Sequence, residues 1–487
     1  MTNLQKHYFF VGIGGSGMSA LADLIRLGGD RVSGSDRGRD RGDVPEKFKV
    51  LSDSGISLHP QDGSGVVAGI DYIVVSSAVE ESIPDIQAAR KLGIPVLKRA
   101  DLLARLFNAK RGIGIAGTSG KTTTTGMTGW MLHAMGLGPT IANGGIMPNF
   151  TGHPSSLLGN AVGGDADLFV AEMDESDGTI ALFNPAIAVL NNITLDHKPF
   201  EVIEPLFRDF LLRAREGAVV NLDDARAARM ATFHPQTITY GIDRSEAVLS
   251  AANLRHSAGG ISFDVRDRRD QAIYHCRLQV PGKHNVSNAL AALSVAAALN
   301  QPLPKAIQAL EGFKGIKRRL EVLGVSGQVT VIDDFGHNPD KIQASLETLT
   351  AHPGRVLVMF QPHGFGPMKM MRKELVEVFA KGLRPQDMLV MPEIFYAGGT
   401  VTRDISSNDL ITDIRALGAQ AHFCDTRDQA GAFLLRNAQP GDRIVVMGAR
   451  DDTLSEFAKG LLAALPSGRK TGAAPKRPLK LPKEPAA

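Results

Sequence analysis

Short apolar runs alternate with amphipathic stretches along most of the 487 residues. The run Tyr8-Phe-Phe-Val-Gly-Ile13 reads as a strand, residues 18–27 as a helix, and residues 31–34 and 72–76 as two more strands. Buried strands separated by helices predict a parallel sheet, because each parallel pair needs a helical crossover. Residues 1–108 are therefore expected to form a small Rossmann-like domain. A second unit, residues 109–314, opens with the strand-like residues 111–116 and continues through strands at 168–172 and 187–190. Between about residues 232 and 281 the pattern turns polar and alternating, as at 261–265 and 272–278, which predicts antiparallel strands added to that sheet. An alanine-rich helix at 285–298 closes it. The third unit, residues 315–465, alternates again. Strands are expected at 329–332, 356–360, 388–391 and 443–447, and helices from Pro339 and near Arg372, giving a second Rossmann-like sheet. Beyond Leu465 the chain turns to Pro, Lys, Gly and Ala, and residues 466–487 are expected to be a disordered basic tail.

With 43% hydrophobic and 22% charged residues, the chain has enough apolar material for several cores. A net charge of +3 gives no strong field for nucleic acid, and no nucleic-acid partner is expected. No stretch approaches the roughly 18 uninterrupted apolar residues of a membrane helix, and no basic region precedes an apolar one at the N-terminus. A cytoplasmic address without a membrane partner follows as the expectation. Cys276 and Cys424 lie far apart without a metal-binding spacing, so two buried thiols are expected. Composition is silent on an oligomeric partner.

The strongest local signal is Gly117-Thr-Ser-Gly-Lys-Thr122, between a strand and a helix start. A glycine at 120 lets backbone N–H groups face an anion, Lys121 can reach β/γ-phosphates, and the Thr122 hydroxyl suits Mg²⁺. Ile115 stands where the standard Walker spacing has glycine, so this is a tighter G-T-x-G-K-T form. Ala171-Glu-Met-Asp-Glu-Ser-Asp177 follows a strand, where open α/β sheets bind ligands, and Glu172 is the first candidate for a metal ligand. Asp196-His197 follows another strand, and His197 is a third ligand candidate beside Thr122 and Glu172. Near the N-terminus, Gly12, Gly14, Gly15, Ser16, Gly17, Met18 and Ser19 form a glycine-rich turn into a helix, with Asp36 after the next strand. That arrangement suits a pyrophosphate and a ribose or base, and by itself is equally compatible with NAD.

These pieces together resemble the Mur ligase family, cytoplasmic enzymes that add amino acids to the peptide of peptidoglycan precursors. The resemblance runs to about residue 460. It includes Gly282-Lys-His-Asn-Val-Ser-Asn-Ala289, similar to a family segment associated with adenine and ribose, and Arg318-Arg319-Leu-Glu321 with Asp333-Asp-Phe-Gly-His-Asn-Pro-Asp340. It implies a UDP-binding first domain, a central P-loop ATPase-type α/β domain with added antiparallel strands, and a Rossmann-like third domain. It implies ATP and Mg²⁺ as cofactors. Gly117, Thr118, Ser119, Gly120, Lys121, Thr122, Thr123, His284, Asn285, Asn288, Arg319 and Asp334 would bind ATP. Lys121, Glu172 and His197 would carry the chemistry, and Ser76 and Ser77 would join the first glycine loop on the UDP substrate. The three domains would close on one another during turnover.

Within the family, Val11-Gly-Ile-Gly-Gly-Ser-Gly-Met-Ser19 with Gly34-Ser-Asp36 is similar to the branch that joins L-alanine to UDP-N-acetylmuramate. That branch usually has His at Ser119 and an arginine at Gly364, after Phe360-Gln-Pro-His363. The missing arginine would have engaged the acceptor's carboxylate, and His337, His363, Lys369 and Arg372 are the remaining acceptor-side candidates. Pro367-Met-Lys369 is similar to the related branch that attaches a recycled murein peptide. Some members place a carbamylated lysine shortly after the Asp-His pair; residues 208–212 contain none, as in the branches acting on UDP-N-acetylmuramate. The expected substrates are UDP-N-acetylmuramate and an amino acid, most directly L-alanine, or a short peptide. A non-catalytic UDP-sugar-binding protein with the same fold is the alternative from another class.

Overall fold

The computed structural model describes residues 5–76, 82–175, 178–194, 199–257, 259–396, 403–449, 451 and 453–466. The chain divides into two compact units, Met1–Ile316 and Lys317–Ala487. The expected basic tail, apart from Pro466, lies outside the described residues.

Two sheets make up the first unit. One is wholly parallel, built from β1 (His7–Val11), β2 (Arg31–Ser35), β3 (Ser57–His59), β4 (Tyr72–Val75) and β5 (Val96–Lys98), in the order β3-β2-β1-β4-β5. β1 is therefore the strand from which the chain leaves first one way and then the other. That switch point opens a crevice at its carboxyl end, where the first glycine loop begins. β3 and β5 were not legible in the pattern, because each is a three-residue edge strand without a fully buried side chain.

The second sheet contains β6 (Arg111–Ala116), β7 (Thr140–Ala142), β8 (Ala161–Val162), β9 (Leu168–Glu172), β10 (Ile187–Leu190), β11 (Gly217–Asn221), β12 (Thr237–Ile242), β13 (Leu249–Ser257), β14 (Gly260–Asp267) and β15 (Ala272–Leu278). Its order is β15-β14-β13-β12-β11-β10-β6-β9-β7-β8, which puts β6 between two parallel neighbours. The polar, alternating stretch does form antiparallel strands, β13 to β15, while β12 pairs in parallel with β11 and β13. The helix Lys283–Ala298 is buried over nearly its whole circumference, and its alanines let it pack closely in the largest apolar cluster beside the helix Lys121–Ala134.

The two sheets are joined by short, directed contacts. Phe107, on the helix Arg99–Asn108, meets Phe169 and Phe183 edge-on, with ring centroids 5.7 and 5.4 Å apart. A Cβ at Gly112 would stand 2.3 Å from the Phe107 ring, so that glycine is needed for the ring to reach β6. Asp23 accepts the Leu157 N–H at 2.8 Å, and Asn160 donates to Ser16 O at 2.7 Å.

The second unit holds a sheet of β16 (Glu321–Ser326), β17 (Val329–Asp334), β18 (Val356–Gln361), β19 (Met388–Pro392), β20 (Ala421–Cys424) and β21 (Arg443–Gly448), ordered β16-β17-β21-β18-β19-β20. All neighbours are parallel except β16 and β17, a hairpin whose turn residues Gly327 and Gln328 have φ of 56° and 63°. Two positive φ values mark the turn whose twist matches a hairpin. Cys276 is a buried free thiol pushed up to about 12 by burial, whereas Cys424, on the edge strand β20, is only half-buried, correcting the expectation of two buried thiols.

Replacing Phe107 with Ala should lower unfolding stability by about 3–5 kcal/mol, the range for emptying a buried aromatic site. Chemical denaturation of the full chain measures it, and a loss below about 1 kcal/mol would show that the ring does not join the two sheets.

Candidate functional site

The loop between β6 and the helix Lys121–Ala134 leaves the sheet between β9 and β10. Gly117 and Gly120 have φ of 130° and 83°, values that other residues reach only with strain. Space excludes a side chain as well. A Cβ at Gly117 would stand 3.0 Å from Asn191 Cβ and Asn192 N, and one at Gly120 would stand 2.6 Å from Asn288 Oδ1. Lys121 folds back, its Nζ donating to Gly117 O at 2.7 Å and to Glu175 Oε2 at 2.8 Å. The Thr122 hydroxyl donates to Glu172 Oε2 at 2.8 Å. Glu172 lies so near Gly144 that a Cβ there would overlap its carboxylate. Thr122 and Glu172 thus place two hard oxygen donors together at the helix start, a pair that fits Mg²⁺. The third expected ligand, His197, lies outside the described residues with Asp196, as does Ser77. Among the described residues no group of three His, Cys, Asp or Glu is arranged to hold a metal.

Beneath the loop, carboxamides from neighbouring strands fix its backbone. Asn192 accepts the Ser119 N–H at 2.8 Å and returns its NH₂ to Ser119 O at 3.1 Å. Asn192 O accepts the Thr118 N–H at 3.1 Å, and the Thr118 hydroxyl exchanges hydrogen bonds with the Thr194 backbone. Asn191 donates to Thr124 Oγ1 at 3.0 Å, and the Thr124 hydroxyl donates to Asn288 Oδ1 at 3.1 Å. Asn288 donates to Asn285 Oδ1 at 3.2 Å, and Asn285 donates to Pro281 O at 2.7 Å. Asn221 and Tyr240 complete the set by donating to Asn191 O and Oδ1 at 2.8 and 3.3 Å. Burial raises the Tyr240 phenol well above its ordinary value, so it remains a donor. Thr123 and His284 occupy the first turns of the helices Lys121–Ala134 and Lys283–Ala298. Ser119 Oγ is buried without a hydrogen-bond partner among the described residues.

At the carboxyl end of β1, Gly12, Gly14 and Gly15 lead into the helix Ser16–Leu27, which also carries Gly17, Met18 and Ser19. Asp36 accepts the Gly14 N–H and the Gly38 N–H, each at 2.8 Å, so its carboxylate braces the loop from the start of the next helix. Arg99 crosses the helix start, its Nη1 3.1 Å from where a Gly17 Cβ would be, with no carboxylate partner among the described residues. A guanidinium beside free helical N–H groups suits a diphosphate. Ser76, half-buried, follows β4 across the same switch point.

In the second unit the loops after β17, β18 and β19 bring a third group together. Asp334 is buried, accepting the Leu320 N–H at 3.1 Å and the Ser345 hydroxyl at 2.7 Å. Arg319 lies 4.6 Å over the Phe335 ring. The rings of His337 and His363 meet edge-on at 5.6 Å. Burial, with Lys341 nearby, pushes His337 down to about 2, so it is neutral at ordinary pH. Lys369 is ion-paired with Asp404, and Arg372 with Asp413 at 2.7 Å.

Sequence reasoning did not single out Glu175, Asn191, Asn192, Asn221, Tyr240, Gly144 or Arg99. One signal was present: Asn143, Asn191 and Asn221 all stand at or just past the carboxyl ends of parallel strands. Asparagine is common enough in turns that the recurrence carries weight only once the strands are known to be neighbours.

Family models match the chain in three consecutive stretches: the Mur ligase family catalytic domain over residues 7–111, the Mur ligase middle domain over 115–296, and the Mur ligase glutamate ligase domain over 318–450. The chain is 36% identical to a UDP-N-acetylmuramate–L-alanine ligase of Desulforamulus reducens, over 92% of this chain and 96% of that protein. It is also 36% identical to the enzyme of that name from Syntrophobacter fumaroxidans, over 97% and 99% of the two chains. Among solved structures, the UDP-N-acetylmuramate–alanine ligase of Thermotoga maritima superposes with a TM-score of 0.78 at 25% identity, covering 94% of this chain and 98% of that one.

Replacing Gly120 with Ala forces a side chain onto Asn288 in a left-handed conformation. Affinity for a fluorescent ATP analogue should fall about tenfold or more, while circular dichroism shows the fold retained. Unchanged nucleotide affinity would show that the loop does not need this backbone to bind.

Proposed function

The chain belongs to the Mur ligase family, and from that premise we propose that it joins L-alanine to the lactyl carboxylate of UDP-N-acetylmuramate with cleavage of ATP. The observation that carries the substrate assignment is the near-full-length likeness to relatives named for that reaction. Family membership makes the chain an ATP-dependent amide-bond-forming ligase. The reading places the reaction where ATP is available, in the cytoplasm.

A carboxylate is a poor electrophile, because no good leaving group departs when an amine attacks it. In the proposed sequence a carboxylate oxygen of the substrate attacks the γ-phosphorus of ATP, ADP leaves, and an acyl phosphate forms. The free amine of the acceptor then attacks the acyl carbon, inorganic phosphate departs, and the nitrogen loses its proton as the amide is completed. The protein's task is positioning and charge compensation. Lys121 exchanges Gly117 O and Glu175 for phosphate oxygens at the N-terminus of its helix, where the Thr118 and Ser119 N–H groups are held by Asn192 and the loop keeps its shape. Mg²⁺ held by Thr122 and Glu172, with His197 as a further ligand, would neutralise phosphate charge. The first glycine loop, braced by Asp36, supports a UDP site together with Ser76 and Arg99. Arg319 and Asp334 stay assigned to the nucleotide, and His337 and His363 to the acceptor.

A recycled murein peptide as acceptor is the second reading, favoured by Gly364 in place of the expected arginine and by Pro367-Met-Lys369. Phosphate release with UDP-N-acetylmuramate and a panel of amino acids and murein peptides separates the two, and L-alanine should give the fastest turnover. Faster turnover with a peptide overturns the first reading, and no turnover with any acceptor leaves a non-catalytic binder. Lys121→Ala should abolish substrate-dependent ADP release, and undiminished release in that variant would sink the ligase mechanism.

A further inference from the structure

We propose that Arg403, held against the rings of Tyr396 and Phe365, is the specificity-determining cation that receives the α-carboxylate of the incoming amino acid. The inference deepens the ligase reading and rests on it.

In an open α/β sheet, ligands meet the loops at the carboxyl ends of parallel strands. In the second unit these loops carry His337 after β17, His363 after β18, and Phe395 and Tyr396 after β19. Gly364 N donates to Phe395 O at 3.0 Å, and Phe395 N donates to Pro362 O at 2.8 Å, so the last two loops are stitched side by side. An amino acid bound there brings a carboxylate that loses part of its hydration, and a nearby cation offsets that cost.

Position 364 cannot supply it. Gly364 has φ of 71°, a left-handed conformation that a longer residue adopts only with strain. Lys369 and Arg372 are already matched by Asp404 and Asp413. Glu393 is likewise occupied, its Oε1 accepting the Ile394 and Ser407 N–H groups at 2.7 and 3.1 Å. Arg403 differs from both cations: its guanidinium carbon lies 4.3 Å from the Tyr396 ring centroid and 5.8 Å from that of Phe365, and no carboxylate pairs with it among the described residues. The two rings, whose centroids are 5.6 Å apart, both lie beside the guanidinium. A guanidinium over an aromatic face can keep its N–H edge for a bidentate carboxylate.

The test compares L-alanine with L-alaninamide, which keeps the reacting amine and lacks the carboxylate. Wild type should prefer L-alanine strongly. In Arg403→Met the KM for L-alanine should rise about ten- to a hundredfold, the preference over L-alaninamide should collapse, and the KM values for ATP and UDP-N-acetylmuramate should stay at wild type. Arg403→Lys, which keeps the charge without the planar fork, should retain part of the preference. A wild-type preference in Arg403→Met overturns the assignment. So does an equal loss with both acceptors, which marks a general structural role. If wild type itself releases no phosphate with L-alanine, the ligase reading fails first, and the Arg403 proposal falls with it.

Discussion

Everything around the loop of residues 117–120 depends on holding its backbone in one conformation. Buried backbone groups are costly to leave unmet, so a loop keeps a fixed path only where partners beneath it satisfy its N–H and C=O groups. Side chains and backbone of the neighbouring strand end do this here. Asn192 takes up both the N–H and the C=O of Ser119, and its own carbonyl takes the Thr118 N–H. A carboxamide suits that task because it donates and accepts at once and carries no charge to compete with a phosphate. The network extends through Asn191, Thr124, Asn288 and Asn285 into the helix Lys283–Ala298, so the loop is fixed to the largest core of the molecule.

The charge of Lys121 obeys the same logic. With side-chain exposures of 18% and 8%, Lys121 and Glu175 are an ion pair largely removed from water, where either partner alone would be strongly disfavoured. The carboxylate keeps the ammonium at the loop in the absence of an anion, and a phosphate can take over one favourable contact for another. Thr122 and Glu172 form a parallel pair one residue further along. Asp36 provides the counterpart in the first sheet, holding Gly14 by its N–H so that the glycine turn keeps its shape. Both loops are therefore prepared by acceptors on neighbouring strands or helix starts.

The sequence reveals what depends on buried periodicity and on glycine. β6, β9 and β10 appear with their observed bounds, because four to six consecutive apolar or small residues between glycines and polar turns have few other readings. β3 and β5 escape, since an edge strand of three residues has too little buried surface to show a period. Lys121, Thr122 and Glu172 were legible as candidates because phosphate and metal chemistry favour those residue types at such a loop, and the structure brings Thr122 and Glu172 together. Their supports were not. An asparagine after a strand reads as a turn residue until the sheet order shows that β10, β6 and β11 bring several such ends together. Lys369 and Arg372 were legible as cations, but only the fold shows that Asp404 and Asp413 lie opposite them.

Divergence between the two halves of the chemistry follows from what each half must accomplish. Activation of a carboxylate by ATP is the same whatever amine arrives, so on the proposed mechanism a change at Lys121 or Glu172 costs every substrate alike. Recognition of the amine is a difference between competing acceptors, and it can move from one loop to another while activation is retained. Gly364 has a backbone conformation that no arginine adopts without strain. Once that conformation is fixed, a cation for the acceptor has to come from another strand end. Phe395 and Tyr396 follow β19, directly beside the β18 loop in the sheet. On the proposed assignment, acceptor specificity lies in the pairing of these two loops, and its readable trace in the sequence is a glycine.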